Sequence, residues 1–284
     1  LILTQKQFFI GEHEEKGRLW PVPLNSNWQG LPDTLTTERL EIPNYAALAA
    51  QNEGALRLNT ENTAHYITDY QGELLDALLN NLSSLDNISK LQIVQERRLL
   101  AESGMISYAD LLPVISKLAN ETSYMVVSAV SQVLEGLNRF VDEGSQTEDY
   151  KALLKVLSQS NFDRLGFEKQ EGESDEDEMV RQLIVGNMIK ADDEIARAQA
   201  SQIFDRYRDN LEKLPAAIRL QVLVNQIKHH ESKELTKLYL ELYVASNDGS
   251  FKNALSTALS YTKNMETLDE LLATWKDKFT VKPQ

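Results

Sequence analysis

Cysteine is missing from all 284 residues, which excludes disulfides, thiolate zinc sites and thiol nucleophiles within the chain. Histidine is scarce: there are four, and two of them, His229 and His230, are neighbours. No apolar run approaches the roughly 18 to 20 residues that a membrane span needs. Basic residues are outnumbered, 29 Lys and Arg against 43 Asp and Glu, for a net charge of −14. Phosphate binding needs clustered cations, so this balance speaks against nucleic acid and against an anionic membrane as partners. The opening LILTQKQFFIG lacks the basic-then-apolar order of a signal peptide. Together with the absent cysteines it fits a cytoplasmic setting.

What is present is an ordinary apolar content of 42% and a change of period along the chain. Residues 1–71 read as a small antiparallel β-sandwich. Strands are expected at Leu1–Ile10, Leu19–Trp28, Thr34–Ile42, Leu56–Asn59 and Thr63–Tyr70, separated by turn material such as Gly30-Leu31-Pro32-Asp33 and Pro43-Asn44. Pro21 and Pro23 confine the second of these to a sheet edge or an irregular path. From Gly72 the spacing becomes helical. In Tyr124–Val141, Val126, Val130, Val133, Leu137, Phe140 and Val141 fall on one side, with Ser128, Gln132, Glu135, Arg139 and Asp142 opposite. The pattern recurs at Tyr150–Leu157, Leu235–Leu242 and Leu255–Leu259, with breaks near Gly104, Gly144, Gly166, Pro215 and Asp248-Gly249. About ten helices of three to four turns predict a HEAT-like array of α-helical hairpins, an α-α superhelix, over residues 72–284.

Asp163–Phe204 is expected to join two halves of that array. An apolar tether, Leu165-Gly166-Phe167, leads into the acidic linker, and Ser174 with Asp177 three residues on has the capping-box spacing. The last helix would leave Leu268, Leu271, Leu272 and Trp275 as an open apolar side, and both ends of the chain read as cut.

A search for chemistry yields no catalytic constellation. A zinc-peptidase helix carries two histidines four apart. His13-Glu14 is followed at that distance by Gly17, and His230-Glu231 by Glu234. His65 reads as a packed or surface residue, and Trp20, Trp28 and Trp275 as core. The acidic run Glu171–Glu178 lacks the central glycine of a calcium loop. Catalytic, cofactor-binding and metal-binding residues are therefore expected to number none, and no residue is singled out as touching peptide. Two readings stay open on these grounds: a piece of a larger protein, and a free-standing helical-repeat adaptor that binds another protein. An independent hydrolase with an unrecognised site is a third, for which the sequence offers no spacing.

Short motifs in a fixed order favour the first. Gln5, Phe8, Trp20, Pro23 and Leu24 fit Gln-x-x-Phe followed by Trp-x-x-Pro-Leu. Asn59 and Tyr66…Tyr70 lead into a helix, and Leu100-Ala101-x-x-Gly104, Tyr108 and Glu121-x-x-Tyr124 follow. Then come Leu165-Gly166-Phe167, Arg181, Ala200…Phe204, Pro215…Arg219 and Tyr243. This series resembles the C-terminal part, β-sandwich plus helical domain, of bacterial aminopeptidase N-type zinc metallopeptidases. Ala64, His65, Ile67 and Thr68 depart from that family's Gly-Tyr-Tyr-Arg-Val-x-Tyr strand. The resemblance implies a non-catalytic role: a helical bowl that caps the zinc chamber and controls peptide access, with the sandwich as spacer. It also implies peptide substrates, the catalytic domain of the same polypeptide as partner, and zinc held there rather than in this chain.

Overall fold

The computed structural model describes residues 1–142 and 144–276, and the chain divides into two compact units, Leu1–Glu143 and Gly144–Gln284. In the first unit four short strands, β1 (Ile2–Thr4), β2 (Val22–Pro23), β3 (Thr34–Leu35) and β4 (Arg39–Glu41), form two antiparallel pairs. β1 lies against β4 with Leu3 opposite Leu40, and β2 against β3 with Val22 opposite Leu35. Leu24, Trp28, Leu35, Leu56 and Leu58 form their core, with Leu3, Leu40 and Tyr66 packed around it.

The strands are much shorter than the sequence pattern predicts, and two of the five are not strands at all. Leu56–Asn59 and Thr63–Tyr70 run irregularly, because Asn59 and Asn62 take left-handed backbone angles, φ 54° and 52°. Asn59 replaces the missing ladder with its side chain, which donates to Ala64 O and accepts from Ala64 N, both at 2.8 Å. Such asparagines tolerate the left-handed region by bonding locally. An unexpected short helix, α1 (Tyr45–Ala50), follows Pro43-Asn44 and sets Tyr45 and Leu48 on the same core.

Helices take over after Gly72. The first unit continues with α2 (Glu73–Asn81), α3 (Asn87–Glu102), α4 (Leu112–Lys117) and α5 (Tyr124–Asn138). α5 buries Val126, Val130 and Val133 as its apolar stripe requires, but the stripe stops there: Leu137 is half-buried and Phe140 lies beyond the helix, exposed and tilted against Tyr108. The second unit holds α6 (Ser145–Leu165), α7 (Asp175–Lys190), α8 (Glu194–Tyr207), α9 (Ala216–His230), α10 (Lys233–Ala245), α11 (Gly249–Leu259) and α12 (Met265–Lys276). Their lengths, from six residues in α4 to 21 in α6, scatter more widely than the expected three to four turns.

Within the second unit α7, α9 and α11, alternate helices in sequence, form a row, with α6 against α7, α8 against α9 and α10 against α11. α9 is therefore enclosed on most sides and buries nine of its residues. The breaks lie where glycine and proline place them: Gly166 (φ 51°) ends α6, and Pro215 precedes α9. Asp163–Phe204 spans the end of α6, the acidic loop, α7 and most of α8, all inside the second unit rather than between two halves. Ser174 and Asp177 close the expected capping box at the start of α7. Leu268 of α12 is half-buried and Leu272 exposed, while the side chains of Leu271 and Trp275 lie outside the described residues.

Candidate functional site

The four histidines are scattered. His13 stacks on Phe9 at 4.0 Å between ring centroids, and His65 is exposed in an irregular stretch rather than a strand. His230 Nε2 lies 3.3 Å from Ser201 Oγ, a serine–histidine pair on the surface. Among the described residues no carboxylate is bonded to that ring to orient it, as a nucleophile–base pair requires. Nor do any three His, Asp or Glu side chains among them gather into a metal-holding group. The described residues thus do not fit a zinc ion, and no chemical step is derived through one.

His229 belongs to a charged cluster where α6, the α7–α8 turn and α9 meet. Asp192, at φ 55°, accepts from Lys228 at 2.8 Å and pairs with Lys151 at 3.0 Å, and His229 Nε2 lies 3.2 Å away. Burial pushes the Asp192 carboxyl up, but the bonds from Lys228 and Lys151 outweigh it and hold the group below its usual range. His229 is held below its ordinary value by burial and by the nearby Arg197 charge. Next to it, Asp193 caps α8 through the Ile195 and Ala196 amides and pairs with Lys155 at 2.6 Å. Asp192 and Asp193 both face lysines, so the cluster pins three helices, while His229 Nε2 is buried without a hydrogen bond of good geometry.

Beside the acidic loop, a groove of about 270 Å³ runs between the end of α6 and α8. Buried Leu165, Phe167 and Ile203 form its floor, Gln170, Gln199 and Gln202 its sides, and the Arg206–Glu168 ion pair its rim. It falls below the roughly 300 to 1,000 Å³ of typical small-molecule sites.

The motif residues turn out to be clamps. The Gln5 carboxamide acts as a piece of backbone, accepting from Trp20 N and donating to Trp20 O, both at 2.9 Å, and reaching Leu35 O and Thr37 O as well. Tyr66 Oη donates to Leu24 O, and Tyr70 Oη accepts from Leu58 N at 2.7 Å. Glu121 pairs with buried Lys90 at 2.9 Å. Tyr108 lies against Gly136, where an added Cβ would sit 2.6 Å from its ring. Arg181 donates to Leu165 O, the carbonyl ahead of Gly166, and pairs with Glu173. Arg219 does the same for Leu214 O ahead of Pro215, with Asp248 at 3.2 Å and the Phe251 ring beneath it. Arg181 thus satisfies a carbonyl that a helix end leaves open, and Arg219 satisfies carbonyls in the turn ahead of α9.

Sequence reasoning missed the polar face of α3. Ser89, Gln92 and Glu96 are all buried against the 56–71 segment. Gln92 Nε2 donates to Glu96 at 3.0 Å, and the Thr68 backbone bonds the same carboxyl. Burial pushes Glu96 up to about 7 despite those two bonds. The signal was there: the three lie at i, i+3 and i+7, the spacing of a buried stripe, but in polar residue types. Trp20 is the opposite case, expected in the core and found exposed.

Comparison with known proteins gives this scaffold its relatives. Residues 56–284 match the ERAP1-like C-terminal domain family. An aminopeptidase N of Lactococcus lactis subsp. lactis is 56% identical over all of this chain and 34% of its own length. One from Lactobacillus delbrueckii subsp. lactis is 38% identical with the same coverage. Tricorn protease-interacting factor F2 of Thermoplasma acidophilum is 25% identical over 68% of the chain and 23% of its own length. The chain spans about a third of the length of the aminopeptidase N relatives it matches. It belongs to the ERAP1-like C-terminal domain family and corresponds to the C-terminal part of an aminopeptidase N.

Proposed function

We propose that this chain is the non-catalytic C-terminal region of a zinc-dependent aminopeptidase, capping the active-site chamber and controlling peptide access. The catalytic domain of the same polypeptide binds the zinc and removes N-terminal residues. Residues 1–71 act as the spacer and 72–284 as a HEAT-like helical bowl, working in the cytoplasm on peptides. The observation that carries this reading is the match to aminopeptidases N along the whole chain but only 34% of their length. The row of alternate helices and the motif residues used as clamps support it, since both build shape rather than a reacting centre.

Two measurements test it. The purified chain with added zinc is expected to leave an aminoacyl reporter uncleaved, and zinc-dependent turnover would overturn the non-catalytic assignment. Joined to the part of the enzyme represented in its relatives, the polypeptide is expected to trim short peptides far faster than the N-terminus of a folded protein. Equal rates on both would remove the capping role.

A further inference from the structure

Along one face of α9, Gln221, Asn225 and His229 recur at helical spacing. Gln221 donates to Gln182 O of α7, and Asn225 to Arg197 O and Ser201 Oγ of α8, so this face lies in the seam where the three helices meet. Each of the three still buries an atom that has no hydrogen bond among the described residues: Gln221 Oε1, Asn225 Oδ1 and His229 Nε2. Arg197 Nε, across the seam on α8, is a fourth. A seam with unpaired polar atoms depends on the bonds that remain.

His229 is the member of this stripe that can take up a proton near neutral pH. Its surroundings are poorly suited to a charge. Arg197 of α8 and Lys228 of α9 repel an imidazolium there, and only Asp192 of the α7–α8 turn attracts it. Asp192 is already shared: its Oδ1, 3.2 Å from His229 Nε2, accepts from Lys228 at 2.8 Å, and Lys151 of α6 lies 3.0 Å from Oδ2. Asp193 is held by Lys155, Glu148 by Lys151, and Lys190 of α7 lies over the Tyr150 ring. His230 points to Ser201 at the surface, and α11, which also packs on α9, buries only apolar residues. Burial and the Arg197 charge hold His229 below its ordinary value. The folded chain therefore binds this proton less readily than the unfolded one. Its contribution to stability is complete above about pH 6.5 and is lost as pH falls below it.

We propose that this seam is an acid-sensitive latch: a proton taken up by His229 leaves a buried cation beside Arg197 and Lys228, and frees the last turn of α9 from the α7–α8 turn.

Amide hydrogen exchange tests it, corrected for the intrinsic rate, with Val130 of α5 as reference. The Lys228 and His229 amides are expected to exchange about threefold faster or more at about pH 5.5 than at about pH 7.5, while Val130 is unchanged. His229→Gln cannot take up the proton and is expected to abolish the difference. Arg197→Gln removes the opposing cation and is expected to narrow it. In the unsubstituted chain, NMR titration of the His229 ring is expected to give a lower midpoint folded than unfolded in urea. An equal or higher midpoint when folded means that the charged ring turns to Asp192 and tightens the seam, which overturns the latch. Acid-accelerated exchange that persists in His229→Gln assigns the opening to Asp192 and Asp193 and also overturns it. So does equal acceleration at Val130, which would mean unfolding of more than the seam.

Discussion

Single side chains do the decisive work at Glu96 and Arg181. Glu96 is only 6% exposed and no cation is paired with it among the described residues. Its carboxyl holds a proton to about pH 7 when folded but releases it near 4.5 when unfolded. The stability it contributes is therefore complete below pH 4.5 and is lost as pH rises through 7. The loss amounts to about 3 kcal/mol well above that pH. Glu96→Gln keeps an acceptor for Gln92 and cannot ionise. Urea unfolding at about pH 5.5 and about pH 8 is expected to show a smaller loss for the variant than for the wild type; parallel losses would refute the assignment. Arg181, 1% exposed, holds both Leu165 O and Glu173. Arg181→Met leaves a half-buried carboxylate and an open carbonyl, and is expected to cost about 3 to 5 kcal/mol in the same assay. Neither role was legible in sequence. A lone Glu or Arg in a helix is usually solvated, and only the packed neighbour makes it buried.

Among the elements, caps were readable and close approaches were not. Ser174 and Asp177 announce the start of α7 by spacing alone, and both halves of the capping box form. Ser174→Ala is expected to lower stability by about 1 kcal/mol, measured by denaturant midpoint. Gly136 gave no such sign, since α5 tolerates alanine everywhere on propensity grounds. Its absent Cβ leaves room for the Tyr108 ring. Gly136→Ala gains about 1 kcal/mol of helix propensity against an overpacking cost of about 1 to 3 kcal/mol, so a net loss is expected. The loss should shrink when Tyr108→Ala is added, a coupling that a double-mutant cycle reads directly. The strands went the other way. Periodicity promised five, and asparagines in the left-handed region and side-chain bonds dismantled two of them.

At the scale of the whole molecule the question is whether the chain carries chemistry or shape. Among the described residues acids meet cations at Asp192 and Asp193, and no three ligands converge. A metal that binds only the folded state raises its unfolding midpoint. Added zinc is thus expected to leave the thermal midpoint of this chain unchanged, and a rise that scales with zinc concentration would reveal a ligand set. No helix among the described residues is long and apolar enough to cross a membrane. Under the proposed function these clamps have a purpose, because a cap that must present a fixed surface needs stiff joints between its helices.

By itself the sequence determined the helical majority, several of the breaks between helices, and the family. Those depend on local spacing, on Gly, Pro and Ser at chain breaks, and on the order of short motifs. Tertiary structure alone decided that α9 is enclosed, that the polar stripe of α3 is interior, that Gln5 holds Trp20, and that Trp20 faces outward. Burial and hydrogen-bond partnership come from segments distant in sequence, and the free energy of a polar group changes sign with its surroundings, so no local pattern can state it.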